Sequence, residues 1–175
     1  MGPLIRTKAL LTNSYRRAAR LLVATAAPAE AQTVARYSTA ARANPVSDTA
    51  TPCTNPLKRT INVTGSFVIA DVNISVLIAY TYRQDLQVNL VSPSNARVIV
   101  VNRIGGGADN INSTLDDQVA SNVSNFSAND TTPYHATFIP SAALSAFNGQ
   151  QAGGVWTLEV CDAAQATTVH FIKLI

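Results

Sequence analysis

The strongest constraint on the fold is an alternation of apolar and polar residues that is followed by a turn and a second apolar run. Leu86, Val88 and Leu90 alternate with polar side chains, which predicts a strand with one buried face. The strand ends at the sequence SPSN (residues 92–95), and β-branched residues at 98–101 follow it. Because proline suits the second position of a type I turn and asparagine tolerates left-handed backbone, we expect a β-hairpin here.

Further strands are predicted on both sides of this hairpin, with no long helix between them. We expect them at residues 59–63, 67–80, 134–139, 155–161 and 168–175, with one helical turn at 140–147 and a long polar loop at 102–135. Strands separated by turn-rich segments predict an all-β fold, an antiparallel sandwich.

The first 31 residues are typical of an export signal. Five basic residues precede a short apolar run at 21–27, and the sequence AEA at 29–31 offers small residues for a signal peptidase. We therefore expect a signal peptide at 1–31, an extended linker at 32–56 and the folded domain at 57–175. The alternatives for the leader are an amphipathic N-terminal helix or a start codon placed too far upstream.

The positive charge of the chain is concentrated in this leader. The formal net charge is +3, to which residues 1–31 contribute +4 and residues 32–175 contribute −1. Charged residues make up 13% of the chain and hydrophobic residues 47%, a mixture that favours a secreted β-protein. No basic face for nucleic acid is therefore predicted, and after removal of the leader no apolar run is long enough to span a membrane.

Two blocks of sequence carry the motifs of a known family. The first block contains Tyr82, Arg83, Asp85, Ser92 and Pro93, and the second contains Gly149, Gly154, Trp156 and Asp162. In their order and spacing they resemble the P domain (P/Homo B domain) of subtilisin-like proprotein convertases and bacterial secreted peptidases, over residues 60–175. Tyr80, Gln84 and Asn95 stand where the family pattern has other residues.

This resemblance implies a jelly-roll β-sandwich of the galactose-binding-domain-like type. It also implies a secreted, non-catalytic domain that stabilises or docks a subtilisin-like catalytic domain or another secreted protein, which links the chain to serine endopeptidase activity and proteolysis. We expect either a stand-alone P-domain protein or a fragment of a longer peptidase.

The alternative function is a carbohydrate- or surface-binding module built on the same sandwich. Its candidate contacts are Tyr80, Tyr82, Tyr134 and Trp156. Of these, Trp156 is expected to pack in the core, while Tyr80 and Tyr82 are expected on one face of a strand.

The two histidines, His135 and His170, provide no recognisable catalytic site. A hydrolytic triad needs a base within hydrogen-bond reach of a nucleophile and an acid that orients the base. Neither histidine is accompanied by a Gly-x-Ser-x-Gly or Gly-Thr-Ser motif. No catalytic residue is therefore assigned.

Four aspartates are the candidate ligands for a metal ion: Asp85, Asp116, Asp117 and Asp162. Hard oxygen ligands suit calcium, but the Asp-x-Asp-x-Asp-Gly ladder is missing. Aspartates in turns more often bond their own backbone. We expect no cofactor and leave calcium open at these positions; for Asp85, an ion pair with Arg83 on one strand face is the alternative role.

The two cysteines, Cys53 and Cys161, are expected to form a disulfide, because an even pair in an exported domain favours one. Trp156 and Val160 are expected to face the core, so Cys161, like Glu159, should point outward from the same strand. Cys53 would then reach Cys161 by crossing the outer face of the sheet.

Overall fold

The computed structural model describes residues 34–39, 42–46, 50–120, 136–164 and 170–174. The strands among these residues are β1 Arg42–Val46, β2 Leu57–Val63, β3 Ile74–Ile78, β4 Leu86–Val91, β5 Arg97–Asn102, β6 Ile111–Leu115, β7 Ala136–Phe138, β8 Gly154–Asp162 and β9 His170–Leu174. Short 3-10 turns lie at Arg83–Asp85 and Leu144–Phe147. All the strands belong to the compact unit Ala35–Ile175, which is therefore all-β in its described part. In that part, no helix combines the length and the apolar character that crossing a membrane requires.

The strands form two sheets, one of five strands in the order β1-β9-β3-β6-β7 and one of four in the order β2-β8-β4-β5. Neighbouring strands are antiparallel, except that β7 runs parallel to β6. The predicted antiparallel arrangement is therefore wrong for this one pair. A parallel pair needs a connection of a dozen residues or more, and residues 116–135 supply it.

The predicted hairpin is confirmed by β4 and β5. Leu86, Val88 and Leu90 are each at most 4% exposed, as their alternation requires. The backbone N–H of Asn95 donates to the carbonyl of Ser92 at 2.9 Å, and Asn95 has a φ of 66°. The asparagine thus adopts the left-handed backbone that closes the turn.

Strand β8 lies inside the four-stranded sheet, between β2 and β4. Trp156 and Val160 are buried in the core, which confirms the prediction that these two side chains face inward. The indole N–H of Trp156 donates to the carbonyl of Ala152 at 2.8 Å, and its ring meets Phe147 edge-on at 5.0 Å between centroids. The buried tryptophan therefore has both an apolar neighbour and a partner for its polar atom.

Strand β1 lies within the range that the sequence predicts as a linker. It pairs with β9, from Arg42 opposite Leu174 to Val46 opposite His170, and it forms the edge of the five-stranded sheet. Its sequence, RANPV, contains a proline, which an edge strand tolerates because one row of its backbone groups is left without a ladder partner. Part of the N-terminal segment therefore belongs to the sandwich.

The strand predicted at 67–80 is shorter than expected, since β3 covers only Ile74–Ile78. The preceding segment turns toward a different partner: the N–H of Ile69 donates to the carbonyl of Gln150, and the N–H of Ala152 donates to the carbonyl of Phe67, both at 2.9 Å. The apolar residues at 67–69 thus form a second, irregular pairing with residues 150–152 instead of extending β3.

The predicted loop at 102–135 contains a strand that the sequence does not reveal. Strand β6 pairs with β3 along its whole length. Its residues Asn112 and Ser113 are buried although they are polar, and Thr114 shares a 2.8 Å hydrogen bond with Ser75 across the pair. Because its polar residues are adjacent, the segment lacks the apolar alternation from which strands are predicted.

Candidate functional site

The motif residues lie at opposite ends of the β4–β8 pair. Leu86 is opposite Asp162 at one end of this pair, and Val91 is opposite Thr157 at the other. The first end, which we call the Asp162 end, holds Tyr82, Arg83, Asp85 and Asp162; the second, which we call the turn end, holds Ser92, Pro93, Gly149, Gly154 and Trp156. The two blocks of sequence therefore build two clusters and not one site.

At the Asp162 end, a buried hydrogen bond joins Tyr80 to Asp162. The hydroxyl of Tyr80 donates to one carboxylate oxygen at 2.5 Å, and the N–H of Ala164 donates to the other at 2.9 Å. Tyr82 is 42% exposed, whereas Tyr80 is buried. The expectation that these tyrosines share one face of a strand is wrong, because the chain bends at Thr81, between them, and is not part of a strand there.

Arg83 and Asp85 do not lie two apart on a strand, as the sequence predicts, but within this 3-10 turn. The N–H groups of Arg83 and Gln84 donate to the carbonyls of Ala108 and Gly106, at 2.9 and 3.2 Å, so the glycine-rich loop holds the turn. The carbonyl of Asp85 accepts a 2.6 Å hydrogen bond from Ala163, just after β8. The structural role of these two side chains stays a prediction.

The side chain of Arg83 is only 2% exposed and lies against Gly105. A Cβ atom at Gly105 would lie 3.0 Å from the guanidinium carbon of Arg83, and Gly105 has a φ of +91°, so both space and backbone favour glycine there. Burial lowers the pKa of Arg83, and the negative charge of Asp109 acts in the opposite direction. The glycine-rich loop therefore lies against the side chain of Arg83 and also accepts hydrogen bonds from the backbone of Arg83 and Gln84.

At the turn end, the hairpin turn docks on the segment that leads into β8. The hydroxyls of Ser92 and Ser94 donate to the side-chain carbonyl of Gln150, at 3.1 and 2.7 Å. A Cβ atom at Gly154 would lie 2.8 Å from the Cβ of Pro93, so the proline packs where any larger residue would collide with it. The Ser-Pro and Gly-x-Trp motifs therefore form one packing unit.

The structure joins Cys53 and Cys161 in a disulfide, with their Cα atoms 4.9 Å apart. The N–H of Asp162 donates to the carbonyl of Thr51 at 3.1 Å, and Pro52 forms a parallel bridge with Asp162, so the N-terminal segment runs beside the end of β8. Cys161 is predicted to point outward, but it is fully buried. Cys53 itself remains exposed.

Glu159, the other residue of β8 that is predicted to point outward, is also buried. It forms ion pairs with Lys58, at 3.6 Å, and with Arg97. The cations lie on β2 and β5, on either side of β8, so their side chains can cover the carboxylate. The sequence carries no signal for this pairing, because it depends on which strands are neighbours.

Two of the four candidate calcium ligands already serve as hydrogen-bond acceptors in loops. Asp116 accepts from the side-chain amide of Asn73 at 3.1 Å and from the N–H of Gln118 at 2.7 Å. Asp117 accepts from the N–H groups of Leu144 and Ser145, at 2.9 and 2.7 Å, at the start of the second 3-10 turn. Asp116 therefore bonds the backbone of its own turn, and Asp117 caps the second 3-10 turn from another part of the chain.

These aspartates do not form a cation site in the part of the chain that the structure describes. No group of three or more His, Cys, Asp or Glu side chains within those residues is placed to hold a metal ion. Calcium takes six to eight oxygen ligands, whereas the carboxylates of Asp116, Asp117 and Asp162 face N–H and O–H donors. This donor set does not fit calcium. His135, Tyr134 and the side chain of His170 lie outside the described residues.

The sequence of the chain is similar to those of known proteins. Residues 69–174 match the model of the proprotein convertase P-domain family. Calcium-dependent proteases of Trichormus variabilis and of a Nostoc species are each 33% identical to the chain over 103 residues, which are 57% of this chain and 12% of the protease. The chain thus spans about an eighth of the length of these curated relatives.

Crystal structures of the serine protease of Aeromonas sobria, determined alone and in complex with a chaperone, are also similar to the chain. Each has a TM-score of 0.43 and 17% sequence identity, and the match covers 83% of this chain and 27% or 26% of the solved one. The family match spans more than half of the sequence and includes both motif blocks. The chain therefore belongs to the proprotein convertase P-domain family.

Proposed function

We propose that the chain is a secreted accessory domain that binds a subtilisin-like catalytic domain and stabilises it. The observation that carries this proposal is the family match over residues 69–174. The contacts of the motif residues support it, since Asp162, Trp156 and Gly154 are engaged in hydrogen bonds or close packing within the domain. Such residues suit a domain whose task is to present a rigid surface.

Binding alone is sufficient to produce this stabilisation. A partner that binds only the folded form of a protein shifts its folding equilibrium toward that form, by about 2.7 kcal/mol when the free partner is present at 100 times its Kd. The accessory domain therefore needs a docking surface and a stable fold, but no reacting group of its own.

We further propose that the chain contributes no catalytic residue. Peptide hydrolysis requires an activated nucleophile, a base with a suitable pKa and donors for the developing oxyanion. The sequence offers two histidines without a recognisable nucleophile motif. The peptidase activity linked to the family would then reside in the partner.

The finer organisation of the chain belongs to the same proposal. We propose a signal peptide at 1–31, secretion of a chain that begins at Gln32, and a jelly-roll sandwich of the galactose-binding-domain-like type in which β1 participates. The disulfide between Cys53 and Cys161 supports an oxidising compartment. Mass spectrometry of the protein recovered from the medium tests the cleavage site, and an unprocessed N-terminus would contradict it.

The proposed function is tested by melting a subtilisin-like catalytic domain from the same genome with and without the full-length chain. We expect the Tm of the catalytic domain to rise and to keep rising with the concentration of the chain, as linkage requires. A catalytic domain whose Tm ignores a large excess of the chain would contradict the proposal. So would cleavage of casein by the chain alone, if that activity were lost in His135→Ala or His170→Ala.

A further inference from the structure

Asn148 and Gly149 form the one Asn-Gly pair in the sequence, and they lie between the second 3-10 turn and β8. Both residues are exposed to solvent. Asparagine is among the residues that are chemically least stable in proteins. A glycine after it makes the asparagine more reactive, because no side chain shields the backbone nitrogen that attacks the asparagine amide.

The reaction that is open to such a pair needs only water. A base in solution removes the proton from the backbone nitrogen of Gly149, and this nitrogen then bonds to Cγ of Asn148. The bond from Cγ to Nδ2 breaks, and Nδ2 takes a proton from solvent and leaves as ammonia. Water opens the resulting five-membered succinimide ring at one of its two carbonyls, which leaves either aspartate or isoaspartate at position 148.

The fold opposes this reaction by holding the attacking nitrogen in a hydrogen bond. The N–H of Gly149 donates to the carbonyl of Ile69 at 2.8 Å, and the N–H of Ile69 donates to the carbonyl of Gln150 at 2.9 Å. Asn148 has a ψ of 139°, whereas ring closure requires this torsion to rotate until the nitrogen of Gly149 lies beside Cβ. Because the peptide unit is planar, the rotation turns the N–H away from Ile69, so the hydrogen bond must break first.

The segment that holds this nitrogen is short and mostly exposed. Residues 67–69 pair with residues 149–152 outside the strands of both sheets. Phe67 and Val68 are 40% and 58% exposed, and within 67–69 only Ile69 is buried. A pairing with so few buried side chains is of the kind that opens locally, at a lower free energy than unfolding of the whole domain.

We propose that Asn148 is a site of spontaneous deamidation, whose rate is set by the opening of the hydrogen bond between Gly149 and Ile69. Either product adds a negative charge to a region whose segments, residues 60–70 and 140–158, contain no Asp, Glu, Lys or Arg. Isoaspartate also carries the main chain through its Cβ, which lengthens the chain by one bond and shifts Gly149 relative to Ile69. The modification therefore releases residues 67–69 from their pairing and makes the local opening permanent.

The test follows conversion at position 148 by mass spectrometry, in the full-length chain and in a peptide of residues 144–152, both kept at mildly alkaline pH and then digested in acid. Asn95 is the matched control within the chain, because it is exposed but is followed by alanine. Hydrogen exchange of the Gly149 N–H reports how often its hydrogen bond opens. We expect Asn148 to convert before Asn95, and more slowly than in the peptide by about ten-fold or more. The exchange of the Gly149 N–H should be slowed by the same factor, to within about three-fold.

The variant Asn148→Gln keeps a neutral amide that closes such a ring far more slowly, so its Ile69 N–H should stay protected while that of the converted wild type loses protection. Equal protection of this N–H in the two proteins would show that the modification leaves the pairing intact. Conversion in the folded chain as fast as in the peptide would show that the hydrogen bond does not control the reaction. Conversion of Asn95 first, or an Asn148 that stays unconverted although the Gly149 N–H exchanges freely, would overturn the assignment of the site.

Discussion

The hydroxyl of Tyr80 lies 2.5 Å from a carboxylate oxygen of Asp162, and both side chains are buried although 82 residues separate them in sequence. Because Tyr80→Phe would remove the donor and leave the buried carboxylate with an unmet acceptor, we expect it to lower the free energy of unfolding by about 1–3 kcal/mol. Urea denaturation measures this loss. Tyr82→Phe is the control, since that ring is exposed; equal stability of the two variants would show that the buried bond contributes little.

The disulfide should contribute most of its stabilisation by restricting the unfolded chain. It spans 108 residues, for which the chain-entropy model predicts about 5 kcal/mol. We expect Cys53→Ser to lose up to this amount and Cys161→Ser to lose more, because the second substitution places a hydroxyl in a fully buried position. Unfolding of the wild type and of Cys53→Ser is then compared with and without reductant. If wild type and Cys53→Ser still differ in their free energy of unfolding when reductant is present, the loss of the disulfide is not the cause of the difference.

Gly105 and Gly106 allow a matched test of the loop around Arg83. Both have positive φ, at 91° and 57°, but a Cβ atom at Gly105 would press on the buried guanidinium whereas one at Gly106 would meet nothing within 4 Å. We expect Gly106→Ala to cost about 1 kcal/mol from backbone strain, and Gly105→Ala to cost about 1–3 kcal/mol more from overpacking. Chemical denaturation of the two variants measures the difference. Similar losses would mean that Arg83 moves aside freely.

Asp117 caps the 3-10 turn at Leu144–Phe147 from a distant loop. Its two carboxylate oxygens accept from Leu144 and Ser145, so Asp117→Ala should lower stability by about 1 kcal/mol, in the range of a lost helix cap. Asp117→Asn keeps one acceptor and should lose less. If both variants unfold at the same denaturant concentration as wild type, the cap is not stabilising.

Calcium should have little effect on the stability of this chain, because the carboxylates of Asp116, Asp117 and Asp162 already accept hydrogen bonds. We expect the Tm of the full-length protein to stay within about 1 °C between millimolar calcium and excess EDTA, since an ion that binds only the folded state would raise it. A rise of several degrees on adding calcium would reveal a site that involves residues beyond these three.

The sequence predicts best those features that depend on neighbouring residues. The hairpin, its left-handed asparagine and the inward direction of Trp156 all follow from local alternation and turn chemistry, and each is confirmed. Strand β6 is missed because Asn112 and Ser113 are polar but buried, and their burial is decided by the strands on either side.

For the site residues, too, the sequence predicts what depends on neighbouring residues and misses what depends on distant ones. The motif blocks select a set of residues in the sequence, but they do not predict that these residues separate into two ends, since that requires the register of β4 against β8. The 3-10 turn at Arg83–Asp85 depends on hydrogen bonds from a loop more than twenty residues away. The exposure of Phe67 and Val68 is not predicted, because the sequence places both residues in a strand and only the structure shows that they are exposed.

The pairing of β1 with β9 has a practical consequence for anyone who shortens this protein. A truncated version that starts at residue 57, where the sequence alone places the domain boundary, would lose β1 and Cys53 together. The outer backbone groups of β9 would then become an open template for other chains, and Cys161 would become a thiol capable of joining two molecules. Such a version should aggregate during purification, and the residues that look least structured are the ones that keep the protein soluble.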